Sequence, residues 1–135
     1  MDRQLTGLLC RTADRVREPA QGTRELAELL GARIVGSVAE PRTASWEEDL
    51  RDSRGCLLEA GGQLDDAFAA GRVPILLAGD CSVAVATLPV VLRNHPQTRV
   101  LWLDAHGDFN TPATTASGYL GGMCLAGACG LWDTG

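Results

Sequence analysis

The sequence lacks several features that would each have decided its class. Its longest apolar runs, such as Val73–Ala78 and Leu88–Leu92, fall far short of the roughly 20 residues a membrane-spanning helix needs. No basic-then-apolar pattern opens the chain, so its first residues do not read as a secretory leader. Basic residues are the minority, 12 against 17 acidic, for a formal charge of −5, and that balance excludes a general footprint for nucleic acid or an anionic membrane surface. The five cysteines are odd in number and form no C-x-x-C, which points to a reducing, cytoplasmic setting rather than a disulfide scaffold. No G-x-G-x-x-G follows a strand pattern, which argues against a nucleotide-binding α/β domain. Internal repeats and low-complexity segments are also missing.

What remains is a chain of 135 residues, 45% hydrophobic and with 16 glycines, sized for one domain with a real core. A first strand is expected around Leu5–Cys10, followed by a polar segment over Arg11–Gly22 that reads as a loop or as a mobile arm that a fuller protein would fold over its site. Thr23–Leu30 reads as a helix, capped by Thr23, apolar at Leu26, Leu29 and Leu30, and ended by Gly31. Ala32–Val38 reads as a strand and Pro41–Ser45 as a turn. Trp46–Ala70 carries apolar residues near the helical period, with an expected break at Gly61-Gly62. Ile75–Ala78 is a buried-strand pattern preceded by Pro74, and Val83–Asn94 a helix with Ser82 as its cap and Pro96 just beyond its end. Strand and helix alternate with short connections, the pattern of a parallel sheet with crossover helices on its faces.

One stretch organises the rest. Val100-Leu-Trp-Leu103 is a short apolar run expected to form a buried parallel strand, with Trp102 and Leu103 in the core, and it leads directly into Asp104-Ala-His106-Gly-Asp108. Sites in open α/β sheets lie beyond the carboxyl ends of strands. Asp104, His106 and Asp108 fall at alternate positions, so an extended backbone would direct all three to one side. Two carboxylates and an imidazole suit Mn²⁺, Fe²⁺ or Zn²⁺, although the same triplet also fits a solvated acidic loop. Asp80 has two readings, support of a metal site or a carboxylate at a helix N-terminus. Glu47, Glu48, Asp49, Asp65 and Asp66 are expected on solvated helix faces, and His95 on the surface without a role. Gly118, Gly121 and Gly122 fit either close approach to a substrate or a turn before a helix over Met123–Ala128.

Three segments taken together, Leu77-Ala-Gly-Asp-Cys-Ser82, Trp102-Leu-Asp-Ala-His-Gly-Asp-Phe-Asn-Thr-Pro112 and Ser117-Gly-Tyr-Leu-Gly-Gly-Met123, resemble the arginase/agmatinase (ureohydrolase) family in order and spacing. The resemblance implies a three-layer α/β/α fold with a mainly parallel sheet. It also implies a binuclear Mn²⁺ centre whose shared hydroxide attacks a guanidinium or amidine carbon, in proteins that form homo-oligomers. By motif position, Asp104 would bridge both ions, Asp108 would bind one and His106 the other, while Asn110 and Ser117 would contact the substrate. The implied substrate class is guanidino, amidino or formimino compounds.

Three departures from the family pattern are visible in the sequence. Cys81 stands where the family has a histidine ligand; a thiolate would favour Zn²⁺ or Fe²⁺ over Mn²⁺, and a small buried residue without a metal fits the position equally well. Gly121 stands where arginases have a histidine, which together with Tyr119 argues against arginine as the substrate. No second Asp-x-Asp follows Asp108, so the chain reads as a truncated, N-terminal half of the fold. Two functions are therefore carried forward. One is a metal-dependent hydrolase of linear C–N bonds, expected as a homo-oligomer or with a second chain supplying the missing half. The other is a catalytically inactive chain that binds metal weakly and acts as an assembly or regulatory partner.

Overall fold

The computed structural model describes residues 2–135. Its sheet has three parallel strands in the order β2-β1-β3, formed by β1 (Arg3–Leu8), β2 (Arg33–Val35) and β3 (Val73–Ala78). Leu8 at the end of β1 is level with Val35 on one side and Ala78 on the other. All three strands therefore end at the same edge of the sheet.

Helices cover both faces, and the alternation along β1 shows why. A Cβ built on Gly7 would lie 2.7 Å from the Ala27 Cβ, so this face admits α1 (Glu18–Leu30) at backbone distance. Leu8, one residue on, points to the opposite face and packs with Val35 and Ala60, the latter on α3 (Arg54–Ala69). A three-layer α/β/α arrangement follows. Beyond α3 lies α4 (Ala84–Asn94), against which Gly61 packs closely: its Cβ would sit 3.3 Å from Val90 Cγ2. A second cluster of Ala84, Val85 and Cys124 joins α4 to α5 (Cys124–Ala128), with Cys81 and Trp102 packed against it. Among the described residues no helix is long and apolar enough to cross a membrane.

Several expectations from the sequence are corrected. The helix expected from Thr23 starts five residues earlier at Glu18, inside what read as a loop, with Pro19 in its first turn and no side-chain cap. Thr23 is consequently buried in mid-helix; the terminating Gly31 is confirmed, in the left-handed region at φ 65°. The long helix breaks at Ser53 instead of Gly61-Gly62, giving α2 (Trp46–Asp52) and α3, and Ser45 and Glu48 form a reciprocal capping box at the start of α2. Asp80, not Ser82, caps the turn leading into α4, accepting from the Ser82 N–H.

The largest correction concerns the run before Asp104. Among the described residues Val100–Leu103 pairs with no strand, and Leu101 and Leu103 are 81% and 86% exposed. Only Trp102 of the expected core pair is partly covered. An apolar run becomes a buried strand only where neighbours on both edges supply its ladder. Asp49 is also reassigned: it is 0% exposed and forms an ion pair with Arg11 at 2.7 Å. The cysteines are not all thiols, since Cys10 after β1 and Cys56 on α3 are joined by a disulfide, leaving Cys81, Cys124 and Cys129 free.

Candidate metal centre

The carboxyl ends of β1 and β3 open onto a group of acidic and sulfur-bearing side chains. β3 leads through Gly79 into Asp80, which is extended at φ −146° and ψ 145°, and then into a 3-10 turn over Cys81–Val83. The loop after β1 brings Asp14 beside Gly79, where a Cβ would lie 2.6 Å from Asp14 Oδ1. Only glycine lets the two segments approach that closely. Arg11 fixes the loop, donating to the Asp14 carbonyl at 3.0 Å, to the Arg42 carbonyl at 2.9 Å and to Asp49.

Cys81, Asp104 and Asp108 each offer a ligand atom, and these atoms all lie within 4.8 Å of one another. The Cys81 thiol donates to Asp104 Oδ2 at 3.6 Å. Burial, then the negative charges of Asp108, Asp80 and Asp104, push that thiol up to about 12. Asp104 is held below the usual carboxylate range, first by the His106 backbone N–H that donates to its Oδ1 at 2.8 Å. Asp108 moves the other way: it is buried, and burial together with the charge of Asp104 raises it. Its Oδ2 has no hydrogen-bond partner among the described residues. A buried, unpartnered carboxylate oxygen is costly unless a proton or a cation completes it.

Local backbone structure aims Asp108 inward. The residue lies in the left-handed region at φ 47°, and its carbonyl accepts from the N–H groups of Leu125 at 3.0 Å and Ala126 at 3.3 Å, at the start of α5. Asn110 N–H donates to the Gly122 carbonyl at 3.1 Å, tying the same loop to the 3-10 turn Leu120–Met123.

The other expected site residues lie outside this donor cluster. The His106 side chain is 82% exposed, with Nδ1 3.3 Å from Asp104 Oδ1. Asn110 and Ser117 are exposed; Asn110 Oδ1 accepts from the Thr114 hydroxyl and Ser117 Oγ from the Tyr119 N–H. The structure also shows contacts that sequence patterns did not announce. Tyr119 donates its hydroxyl to Asp80, and the Arg15 guanidinium stacks over the Tyr119 ring at 4.8 Å. Asp14 and Arg15 carried no local signal because they sit in a segment that reads only as polar loop.

Comparison with known proteins decides the family, since the arginase family model matches residues 18–134. The chain belongs to the arginase family. This arginase-family chain is 42% identical over 131 residues to the N(omega)-hydroxy-L-arginine amidinohydrolase of Streptomyces lavendulae, covering 93% of this chain and 48% of that protein. It is 43% identical to the arginase of Bacillus caldovelox over 68 residues, 50% of this chain and 23% of that protein. Among solved structures, arginase from Bacillus subtilis superposes with a TM-score of 0.75 at 23% identity, over 93% of this chain and 46% of that one. Native arginase from Bacillus caldovelox at pH 5.6 gives 0.65 at 26% identity, over 93% and 48%. This member of the arginase family thus spans about half the length of the relatives it matches.

Proposed function

We propose that the chain supplies one divalent-metal half-site of an amidinohydrolase, with Cys81, Asp104 and Asp108 as the residues that hold the cation. The observation that carries this reading is the convergence of those three donors within 4.8 Å, together with the buried, unpartnered Asp108 Oδ2. One sulfur and two carboxylates fit Zn²⁺ or Fe²⁺ at least as well as Mn²⁺. A divalent cation there supplies Lewis acidity and a water of lowered pKa. The chain's own residues do the rest. Asp104 and Asp108 supply negative charge that draws in a cationic guanidino group, and the exposed His106 imidazole, with Nδ1 3.3 Å from Asp104 Oδ1, carries a proton toward the departing amine.

The substrate class is a guanidino compound, cleaved at the C–N bond so that water adds to the guanidino carbon and the amine leaves with the proton. The relative matched over 93% of the chain is named for Nω-hydroxy-L-arginine, whereas the Bacillus caldovelox arginase aligns over 50%. Gly121 removes the side chain that arginine hydrolysis would use at that position, which favours the hydroxylated guanidine. The test is product release by the metal-loaded protein from Nω-hydroxy-L-arginine and from L-arginine, side by side. Turnover of the first in excess of the second is expected; release from neither compound refutes the catalytic reading.

A second reading draws on the exposure of His106 and on a donor set that suffices for a single cation: a chain that holds metal weakly and serves as an assembly partner. A second copy of the chain or a separate chain completing the site is compatible with either reading.

A further inference from the structure

The three donors come from two separate parts of the chain, which meet through the apolar cluster around Cys124 and the Cys81–Asp104 contact, and Tyr119 adds a hydrogen-bonded tether between them at Asp80. Cys81 rides on the turn after β3, while Asp108 is fixed by the backbone of the segment that follows Tyr119, through Leu125 and Ala126. Asp80 uses both carboxylate oxygens here: Oδ1 accepts from the Ser82 N–H at 2.8 Å, clamping the backbone on either side of Cys81, and Oδ2 accepts from the Tyr119 hydroxyl. Without the tyrosine oxygen, no other hydrogen bond among the described residues would connect Asp80 to the 119–126 segment.

The Tyr119 ring reaches Asp80 only because residue 121 has no side chain. A Cβ on Gly121 would lie 2.6 Å from Tyr119 Cε1, 2.8 Å from Cζ and 2.9 Å from the hydroxyl oxygen. Those separations are shorter than real Cβ contacts, so any side chain at 121 displaces the ring. The Arg15 guanidinium stacked over the ring further limits where it can go.

We propose that Tyr119 is the positioning residue of the site: lying in the space left by Gly121 and donating to Asp80, it holds the Cys81 turn against the Asp108 loop so that the three donors converge. Gly121 and Tyr119 act as one device. The proposal rests on the metal reading for its effect on ligand binding, whereas the tether itself exists without metal.

The test uses Tyr119→Phe, Gly121→Ala and the double variant, with Co²⁺ as the probe. In the parent protein a sulfur-to-cobalt charge-transfer absorption reports ligation by Cys81. Tyr119→Phe removes one oxygen and keeps the ring, and is expected to weaken Co²⁺ binding by about tenfold, the size of effect found when groups orienting metal ligands are lost, and to diminish the sulfur-to-cobalt band. Gly121→Ala is expected to do the same by pushing the ring away. The double variant is expected to bind Co²⁺ no more weakly than Tyr119→Phe alone, since the hydrogen bond can be lost only once.

Amide hydrogen exchange of the metal-free proteins reads the tether separately, with faster exchange expected at Ser82 and Leu125 in Tyr119→Phe. Unchanged exchange, or an unchanged cobalt spectrum and affinity in Tyr119→Phe, overturns the proposal. A parent protein that shows no sulfur-to-cobalt band overturns the metal reading and with it the ligand-orienting role, while the exchange comparison still decides whether the tether exists.

Discussion

Asp49→Asn is the substitution whose cost can be worked most directly from the structure. The change keeps the shape of the side chain and removes its charge. Asp49 is 0% exposed, and its Oδ1 lies 2.7 Å from an Arg11 nitrogen whose own side chain is only 8% exposed. Removing one partner of a buried pair leaves the other charge uncompensated, at a cost of about 3–5 kcal/mol. With a urea m-value of about 2 kcal/mol/M, a 4 kcal/mol loss lowers the midpoint by about 2 M. Against a total stability of roughly 5–15 kcal/mol, that is a large fraction. The same loss loosens the loop carrying Asp14 and Arg15, because Arg11 also donates to the Asp14 carbonyl of that loop and to the carbonyl of Arg42, whose own N–H donates to Asp14. The assay is urea unfolding followed by circular dichroism, with Asp52→Asn as the control. Asp52 lies on the same helix in exposed pairs with Arg42 and Arg51, and its loss should leave the midpoint nearly unchanged. A loss below about 1 kcal/mol for Asp49→Asn would refute the reasoning, since it is the value of a solvent-screened pair.

Three further outcomes are expected. Burial, reinforced by the charge of Asp80, raises Asp14 above its ordinary 3.8, so the folded state binds more protons than the unfolded one between 3.8 and the raised value. Stability therefore falls as pH rises through that window, and Asp14→Asn should flatten this part of a plot of urea midpoint against pH. Gly7→Ala should cost about 1–3 kcal/mol in urea unfolding, because its methyl group would sit 2.7 Å from the Ala27 Cβ at a strand–helix contact. Metal binding must displace the Cys81 proton from a thiol pushed up to about 12, so affinity should rise with pH and the proton released should appear in calorimetry run in buffers of different ionisation enthalpy.

How much of this was legible in the sequence divides along a physical line. Features set by local chemistry were readable: the apolar run at β3, the helix before Pro96, the left-handed glycine that ends α1, and the three motif segments that carry the family resemblance. Features set by partners distant in sequence were not. Val100–Leu103 has the composition of a buried strand, yet a strand requires neighbours to pair with, and composition cannot supply them. Asp49 looks like any acidic residue on a helix until Arg11, 38 residues away, is found beside it. The Tyr119–Asp80 contact spans 39 residues and depends on the missing side chain at 121, so neither residue alone announces it. The donor set shows both sides. Spacing named Asp104, His106 and Asp108 and expected an extended backbone to turn all three to one side, whereas Asp108 adopts a left-handed φ, His106 stays outward, and the cluster with Cys81 depends on how two loops meet.

The central claim is that Cys81, Asp104 and Asp108 hold a cation. It is tested most directly by elemental analysis of the protein after loading with Mn²⁺ or Zn²⁺ and desalting, with Asp104→Asn treated in parallel. The account predicts roughly one retained ion per chain, as a single three-donor cluster allows, with Zn²⁺ held more firmly than Mn²⁺ and the ion lost in the variant. No retained metal in the parent protein, or equal retention in Asp104→Asn, would contradict it.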